Sequence, residues 1–234
     1  NFRQNDLKNG GEGAPLTPIF HQLIVKEKKI DLSVNFLNLG GIANVTTIIN
    51  YKPNDLIGYD VGPGNCLIDA WIRKKTKKKY DDKGSIARTG KTDEIILDAM
   101  HFYFNFIKAK HDKTGLPKHS LDIKDFNLPD DFEKLSLEDG AATLTEFTSR
   151  VLDPFIENAN DDKEKIILCG GGRKNNLLVE KLKKKSMNIK LIDDYGIDGD
   201  FVESQAFAYL AIRSYLKLPI SFPETTGVKK PCSG

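Results

Sequence analysis

Apolar positions along the chain change their period several times, and each change marks an element. Leu32 to Leu39 reads as a strand, Gly40-Gly41 as a tight turn, and Ile42 to Ile49, rich in β-branched residues, as its hairpin partner. Leu56 to Asp60 is a third short strand. Gly62-Pro63-Gly64-Asn65 then leads into a helix whose apolar residues Leu67, Ile68, Trp71 and Ile72 recur at helical spacing. Further helices are predicted over about Thr92 to Lys108 and over Ser136 to about Ala159, the latter strained or interrupted at Pro154. Lys165 to Cys169 is a strand, Asn175 to Lys185 a helix, and Ile189 to Ile192 a strand. A closing helix spans about Phe201 to Leu216, with Ala206, Phe207, Leu210 and Ile212 among its apolar positions.

Three antiparallel-type strands, a helical region, then strand, helix, strand, helix is the order of a layered α/β domain. It is also the element order of the ribonuclease-H-like half of the actin–hexokinase–sugar kinase class. The expected fold is therefore a ribonuclease-H-like mixed sheet with flanking helices. Residues 32–218 form that layered domain with a helical insertion around 80–135, residues 1–31 a segment before it, and 219–234 a C-terminal tail. Within the insertion, 109–135 is the least regular stretch. Asn1-Phe2-Arg3 reads like the exit of a strand whose body is missing, and Pro231 to Gly234 follows a loop with no closing element, so a piece of a longer protein is expected.

Composition adds exclusions more than it adds a function. The 234 residues carry 35 Lys+Arg against 33 Asp+Glu, so a net charge of +2 demands neither nucleic acid nor an anionic membrane. The longest uncharged run, Leu32 to Tyr51, contains Asn35, Asn38, Asn44, Asn50 and Gly40-Gly41, which hydrocarbon would not tolerate. Three widely spaced cysteines, Cys66, Cys169 and Cys232, make neither a disulfide framework nor a metal knuckle. With no signal peptide visible, a reducing, cytoplasmic location is expected.

Several familiar motifs fail on inspection. Arg88-Thr89-Gly90-Lys91-Thr92 looks like the end of a P-loop, but Gly84 is one residue too far upstream and Lys77 to Lys83 is no buried strand; a helix start is the better reading. Asp193, Asp194, Asp198 and Asp200 lack the closing Glu of a calcium loop. The six positive charges of Arg73 to Lys79 have no interleaved aromatics and read as a solvated helix end. His21, His101, His111 and His119 are scattered, with no HExxH and no Cys–His pair, so no metal site is expected.

Others survive. Leu37 to Asn44 places Gly40 and Gly41 at a hairpin tip, where backbone N–H groups can approach a polyphosphate with no Cβ in the way, and Asn44 adds a side-chain donor. The plain alternative is an ordinary turn. Gly170, Gly171 and Gly172 lie between a buried strand and a helix, where a phosphate or a flat ring can pack; Asn175 is well placed as that helix's N-cap. Asp60-Val61-Gly62-Pro63-Gly64-Asn65 puts a carboxylate at a strand end before a helix start, a usual place for ligand groups in α/β sheets. Asp200 and Glu203 sit at the start of the last helix, where the macrodipole favours carboxylates.

Taken in order, the strings Asn1-Phe2-Arg3, Gly10-Gly11-Glu12-Gly13-Ala14-Pro15-Leu16, Phe20-His21, Asn38 to Asn44, Asp60 to Asn65, Cys169 to Gly172 with Asn175, and Asp198 to Ala208 closely resemble the anhydro-N-acetylmuramic acid kinases over nearly the whole chain. The match corresponds to the C-terminal two-thirds of that family, which implies mostly the second lobe of a two-lobed kinase, with 32–218 as its ATPase lobe and 1–31 as a segment on the substrate side of the interlobe cleft. The resemblance implies an ATP- and Mg²⁺-dependent cytoplasmic enzyme of cell-wall recycling that opens the 1,6-anhydro ring with water and phosphorylates O6. It implies a small amino sugar and ATP as partners, no nucleic acid, no membrane, and a homodimer. By position Gly40, Gly41 and Asn44 would face the β- and γ-phosphates, and Gly170, Gly171, Gly172 and Asn175 would flank the adenosine. Arg3, Asp60, Gly62, Gly64 and Asn65 would lie toward the sugar, and no residue is assigned to a metal. The family usually has Asp where this chain has Asn1, and that Asp is its proposed base. An amide cannot take a proton from water at neutral pH. Glu203 or Asp6 is then the expected catalytic carboxylate; a non-catalytic sensor or another sugar kinase of the class is the alternative.

Overall fold

A computed structural model describes residues 2–112, 121–158 and 164–234, with the side chains of 107–112 and 158 excepted. Asn1, His111, His119 and part of the irregular stretch 109–135 thus lie outside the described residues or side chains. Among the described residues five strands form one sheet in the order β3-β2-β1-β4-β5. The central strand β1 (Val34–Leu39) is almost wholly buried, and β2 (Ile42–Ile48) returns antiparallel to it with Leu37 opposite Val45. β3 (Ile57–Pro63) continues antiparallel at one edge. On the other side β4 (Lys165–Cys169) runs parallel to β1, with Phe36 opposite Ile167, and β5 (Ile189–Leu191) runs parallel to β4. This is the mixed, ribonuclease-H-like sheet that the element order predicts.

Helices cover both faces because β1 and β4 are apolar on both. One face packs against α2 (Pro18–Glu27) and α8 (Val202–Tyr215) through Phe20, Val25, Phe36, Ile167 and Leu210. The other carries Leu37, Val45, Ile166 and Leu168 against Leu152, Ile156 and the apolar side of α7 (Asn176–Lys183). A further core joins α3 (Cys66–Lys75), α4 (Glu94–Asp112) and α5 (Leu137–Val151); there the Trp71 indole N–H donates to the Leu137 carbonyl at 2.9 Å. Gly90 abuts the Glu138 backbone of α5 and the Lys91 N–H donates to Asp139 at 2.7 Å, so the P-loop-like string is a packing turn before α4.

The structure departs from the sequence reading in four places. Phe2–Lys8 is a helix, α1, not the exit of a strand. The helix α2 was not foreseen, although Pro18 at its first position is preorganised for one. β3 continues to Pro63 because Gly62 and Pro63 still pair with Ala43 and Ile42. The tail does close the fold: Ile220, Phe222, Val228 and Cys232 are buried, α9 (Pro223–Thr226) packs beside β3, and the Ile220 N–H donates to the Cys232 carbonyl at 2.8 Å. The interruption near Pro154 is as expected, with α6 (Asp153–Asn158) starting afresh after Leu152. Proline in a first turn breaks no helical hydrogen bond. No helix among the described residues is long and apolar enough to cross a membrane.

Candidate functional site

Two cavities meet where β1 and β4 end. The larger, of about 560 Å³, is lined by Arg3, His21, Asn44, Asp60, Arg173 and Glu203 among others. The smaller, of about 440 Å³, is lined by Asn65, Asp69, Tyr80, Asp81, Lys83 and Asn175 with neighbours. Gly40, Gly41 and Gly171 line both, so three glycines form the wall the cavities share.

The glycines divide by what surrounds them. A Cβ on Gly171 would meet nothing within 4 Å, and one on Gly41 only the Cys66 Cβ at 3.9 Å, so bare backbone borders open space at both. Neither Gly40 nor Gly41 has a positive φ; the hairpin uses them for room, not for a left-handed turn. Their carbonyls are tied back toward α3, accepting from the Asn65 N–H at 2.8 Å and the Gly64 N–H at 2.9 Å. Gly170 is different: its φ of +79° demands glycine, and a Cβ there would press on the Leu39 carbonyl at 2.8 Å. Gly172 lies behind the wall, buried, with Asn65 Nδ2 and the Leu39 Cβ at 2.5 and 2.7 Å from where its Cβ would sit. Asn175 caps α7, its side chain accepting from the Leu178 N–H at 3.1 Å, and lines the smaller cavity as well.

Of the residues expected toward the sugar, Arg3 and Asp60 do line the larger cavity, and Asp60 Oδ2 accepts from the Leu121 N–H at 2.7 Å. Gly62, Gly64 and Asn65 do not. β3 bulges here, with Asp60 opposite Asn44 but Gly62 opposite Ala43, so two residues that alternation would place together fall on opposite faces. Gly62 consequently faces Val151 of α5, Gly64 abuts Gly40, and Asn65 points to the smaller cavity while donating to the Leu39 carbonyl at 3.2 Å.

The two candidate carboxylates separate sharply. Glu203 is exposed in the first turn of α8 and lines the larger cavity. Asp6 is 1% exposed, accepting from the Gly13 N–H and the Thr226 hydroxyl, each at 2.7 Å, and lies outside the cavity lining. In this arrangement Asp6 ties α1 to the Gly-rich loop and to α9, away from the cavity where Glu203 lies. Asn1 lies outside the described residues.

Two residues of the larger cavity were passed over in the sequence. His21 is buried, with Nδ1 2.9 Å from the Thr46 hydroxyl and its ring stacked 4.6 Å from Phe36. Burial pushes its pKa down to about 3, so the imidazole is neutral. Arg173 follows the glycines directly and is paired with Asp193 and Asp200, at 2.8 and 2.9 Å. The acidic run that resembles a calcium loop is thus a cradle for a guanidinium. Its signal was present in the sequence, an arginine after a glycine turn and an unmatched acidic cluster 20 residues on. Among the described residues no group of His, Cys, Asp and Glu is arranged to hold a metal by itself. Asn44 Oδ1, by contrast, is buried with no hydrogen-bond partner among the described residues.

A family model described as anhydro-N-acetylmuramic acid kinase matches residues 1–234. The chain belongs to the anhydro-N-acetylmuramic acid kinase family. It is 50% identical to the anhydro-N-acetylmuramic acid kinase of Pelagibacter ubique and 43% identical to that of Zymomonas mobilis, in each case over 100% of this chain. It spans 62% and 61% of those relatives' lengths. A solved structure, the activator of the 2-hydroxyisocaproyl-CoA dehydratase from Clostridium difficile with bound ADPNP, covers 80% of this chain and 64% of its own at 14% identity and a TM-score of 0.46, too slight a likeness to support an inference. The strings that carry the resemblance to the anhydro-N-acetylmuramic acid kinases, from Asn38 to Asn44, Cys169 to Asn175 and Asp198 to Ala208, converge on the two cavities.

Proposed function

We propose that this chain is the nucleotide-gripping and catalytic portion of a cytoplasmic, homodimeric kinase that opens 1,6-anhydro-N-acetylmuramic acid with water and phosphorylates O6. The observation that carries this reading, beside the family, is the glycine wall. Gly41 and Gly171 present backbone without Cβ between a cavity holding Glu203 and Asp60 and one holding Asn175. Adenosine in the smaller cavity would lay its terminal phosphates across the wall, facing a sugar in the larger. Glu203 takes a proton from the water that adds to the anomeric carbon. The C1–O6 bond breaks, O6 attacks the γ-phosphorus, and ADP departs.

Mg²⁺ keeps most of its waters and asks for one or two carboxylates plus phosphate oxygens. Asp60 and Asn44 Oδ1 line one cavity and fit that demand, leaving Glu203 free as the base. The ion would neutralise charge on the transferring phosphoryl group. A non-catalytic sensor of the same ligands is favoured by one feature only, Asn1 at the family's usual Asp position.

The test is turnover in a chimera that supplies, from the Pelagibacter relative, the portion this chain does not cover. ATP and the anhydro sugar should yield ADP and a 6-phosphate containing one added water, read by mass spectrometry. ADP formation without an open-ring sugar phosphate would replace this activity with another, and nucleotide binding with no ADP formation would favour the sensor.

A further inference from the structure

We infer that Arg173 is a positioning residue that locks the Gly170–Gly171 turn to the turn carrying Glu203, so that a ligand ordering one orders the other; this rests on the functional reading above. The guanidinium is 5% exposed and its fork is almost fully used. Nε and Nη2 donate to the two oxygens of Asp193 at 2.8 and 3.3 Å, Nη2 also reaches Asp200 Oδ1 at 2.9 Å, and Nη1 donates to the Gly170 carbonyl at 3.1 Å. One rigid group therefore joins the nucleotide-side glycine turn to both ends of the loop 193–200.

That loop is fitted around the arginine. Asp193 Oδ1 also accepts from the Gly199 N–H at 3.3 Å, and a Cβ on Gly199 would collide with the guanidinium. Only Phe201 and Val202 separate Asp200 from Glu203, and Val202 is buried, so the start of α8 has little freedom once Asp200 is held. Each joined segment lines the larger cavity, through Gly170 and Gly171 on one side and Gly199, Asp200 and Glu203 on the other. A lysine would keep the charge but lose the fork, since a single ammonium cannot hold two carboxylates and a carbonyl in fixed directions. The buried cation and its two carboxylates form a contiguous hydrogen-bonded network between the two segments, one kind of path through which neighbouring sites can couple.

The test uses the 234-residue chain with ADP as probe and amide hydrogen exchange as readout, so it does not depend on turnover. ADP should slow exchange in the glycine turn and also across residues 198–204, by roughly threefold or more. In Arg173→Lys the slowing should persist at the turn and vanish at 198–204. Asp193→Asn, which leaves the guanidinium in place, should weaken the remote slowing in the same direction should Arg173→Lys fail to fold. In the chimera, Arg173→Lys should lower kcat about tenfold with the KM for ATP little changed, and should cost nothing further in a Glu203→Gln background. Slowing at 198–204 that survives both variants, or equal losses with and without Glu203, would overturn the positioning role while leaving the kinase reading intact. Absence of ADP binding would sink that reading and the coupling with it.

Discussion

The Thr226 hydroxyl donates to Asp6 Oδ1 at 2.7 Å, joining α1 to α9 across 220 residues of chain. Asp6 Oδ2 holds the Gly13 N–H at the same distance, so one buried carboxylate fastens the Gly-rich loop to the tail. Asp6→Ala leaves a buried hydroxyl and a buried N–H without partners. It should destabilise the chain by about 2–4 kcal/mol in urea unfolding, while the folded fraction binds ADP with unchanged affinity in calorimetry. Asp6→Asn should cost less, because the amide oxygen can still accept one of the two bonds.

Neighbouring glycines should respond oppositely to one methyl group. Gly171→Ala adds a Cβ into open space and should fold normally, yet lower ADP affinity by about tenfold or more if, as proposed, phosphate oxygens approach there. Gly41→Val should behave alike. Gly172→Ala forces a Cβ against Asn65 and Leu39 and should instead reduce stability by about 1–3 kcal/mol. Melting temperatures and calorimetric titrations on the three variants separate the two effects.

The buried His21 sets a pH dependence of known sign. Its folded pKa of about 3 lies below the unfolded value near 6.5, so the unfolded chain binds the proton first. The stability contribution is fully present above pH 6.5 and is lost as pH falls toward 3, by up to about 1.4 kcal/mol per unit. Asp193, held low by the Arg173 guanidinium beside it, adds to the loss of stability at still lower pH, and Asp69, raised by its own burial, acts in the opposite direction. His101, lowered by its own burial, acts in the same direction as His21. Urea titrations of the parent and His21→Gln across pH 4.5–7 should show a shallower slope in the variant.

Glu203→Gln in the chimera should slow turnover by about 10²–10⁴-fold with nucleotide affinity retained, the expected loss for a positioned base. Near-normal rates would remove Glu203 from that role. Asn1→Asp should raise turnover strongly if the family's usual base has been lost here, and should change little if Glu203 alone suffices.

What was legible in the sequence was local. The Leu32–Ile49 hairpin follows from alternating apolar residues around two glycines, and the break near Pro154 from a missing N–H, so neighbours in the chain settle both. The sites of Gly40, Gly41 and Gly171 follow likewise, since a backbone stripped of Cβ is already a statement about what may approach it. The roles of side chains are decided by what packs against them. Asp6 and Glu203 are both carboxylates on helices, yet Thr226 and Gly13 bury one while the other faces a cavity. One bulge in β3 sends Asp60 and Gly62 to opposite faces; Gly62-Pro63 hints at an irregular strand end but does not fix the register, which the partner strand decides. Arg173 and the acidic run from Asp193 to Asp200 are each visible in the sequence, but only the fold brings Asp193 and Asp200 around the guanidinium. Backbone conformation depends on a few adjacent residues, whereas the partner of a buried polar group is chosen among all residues that the fold brings within about 3 Å, and only the tertiary structure makes that choice.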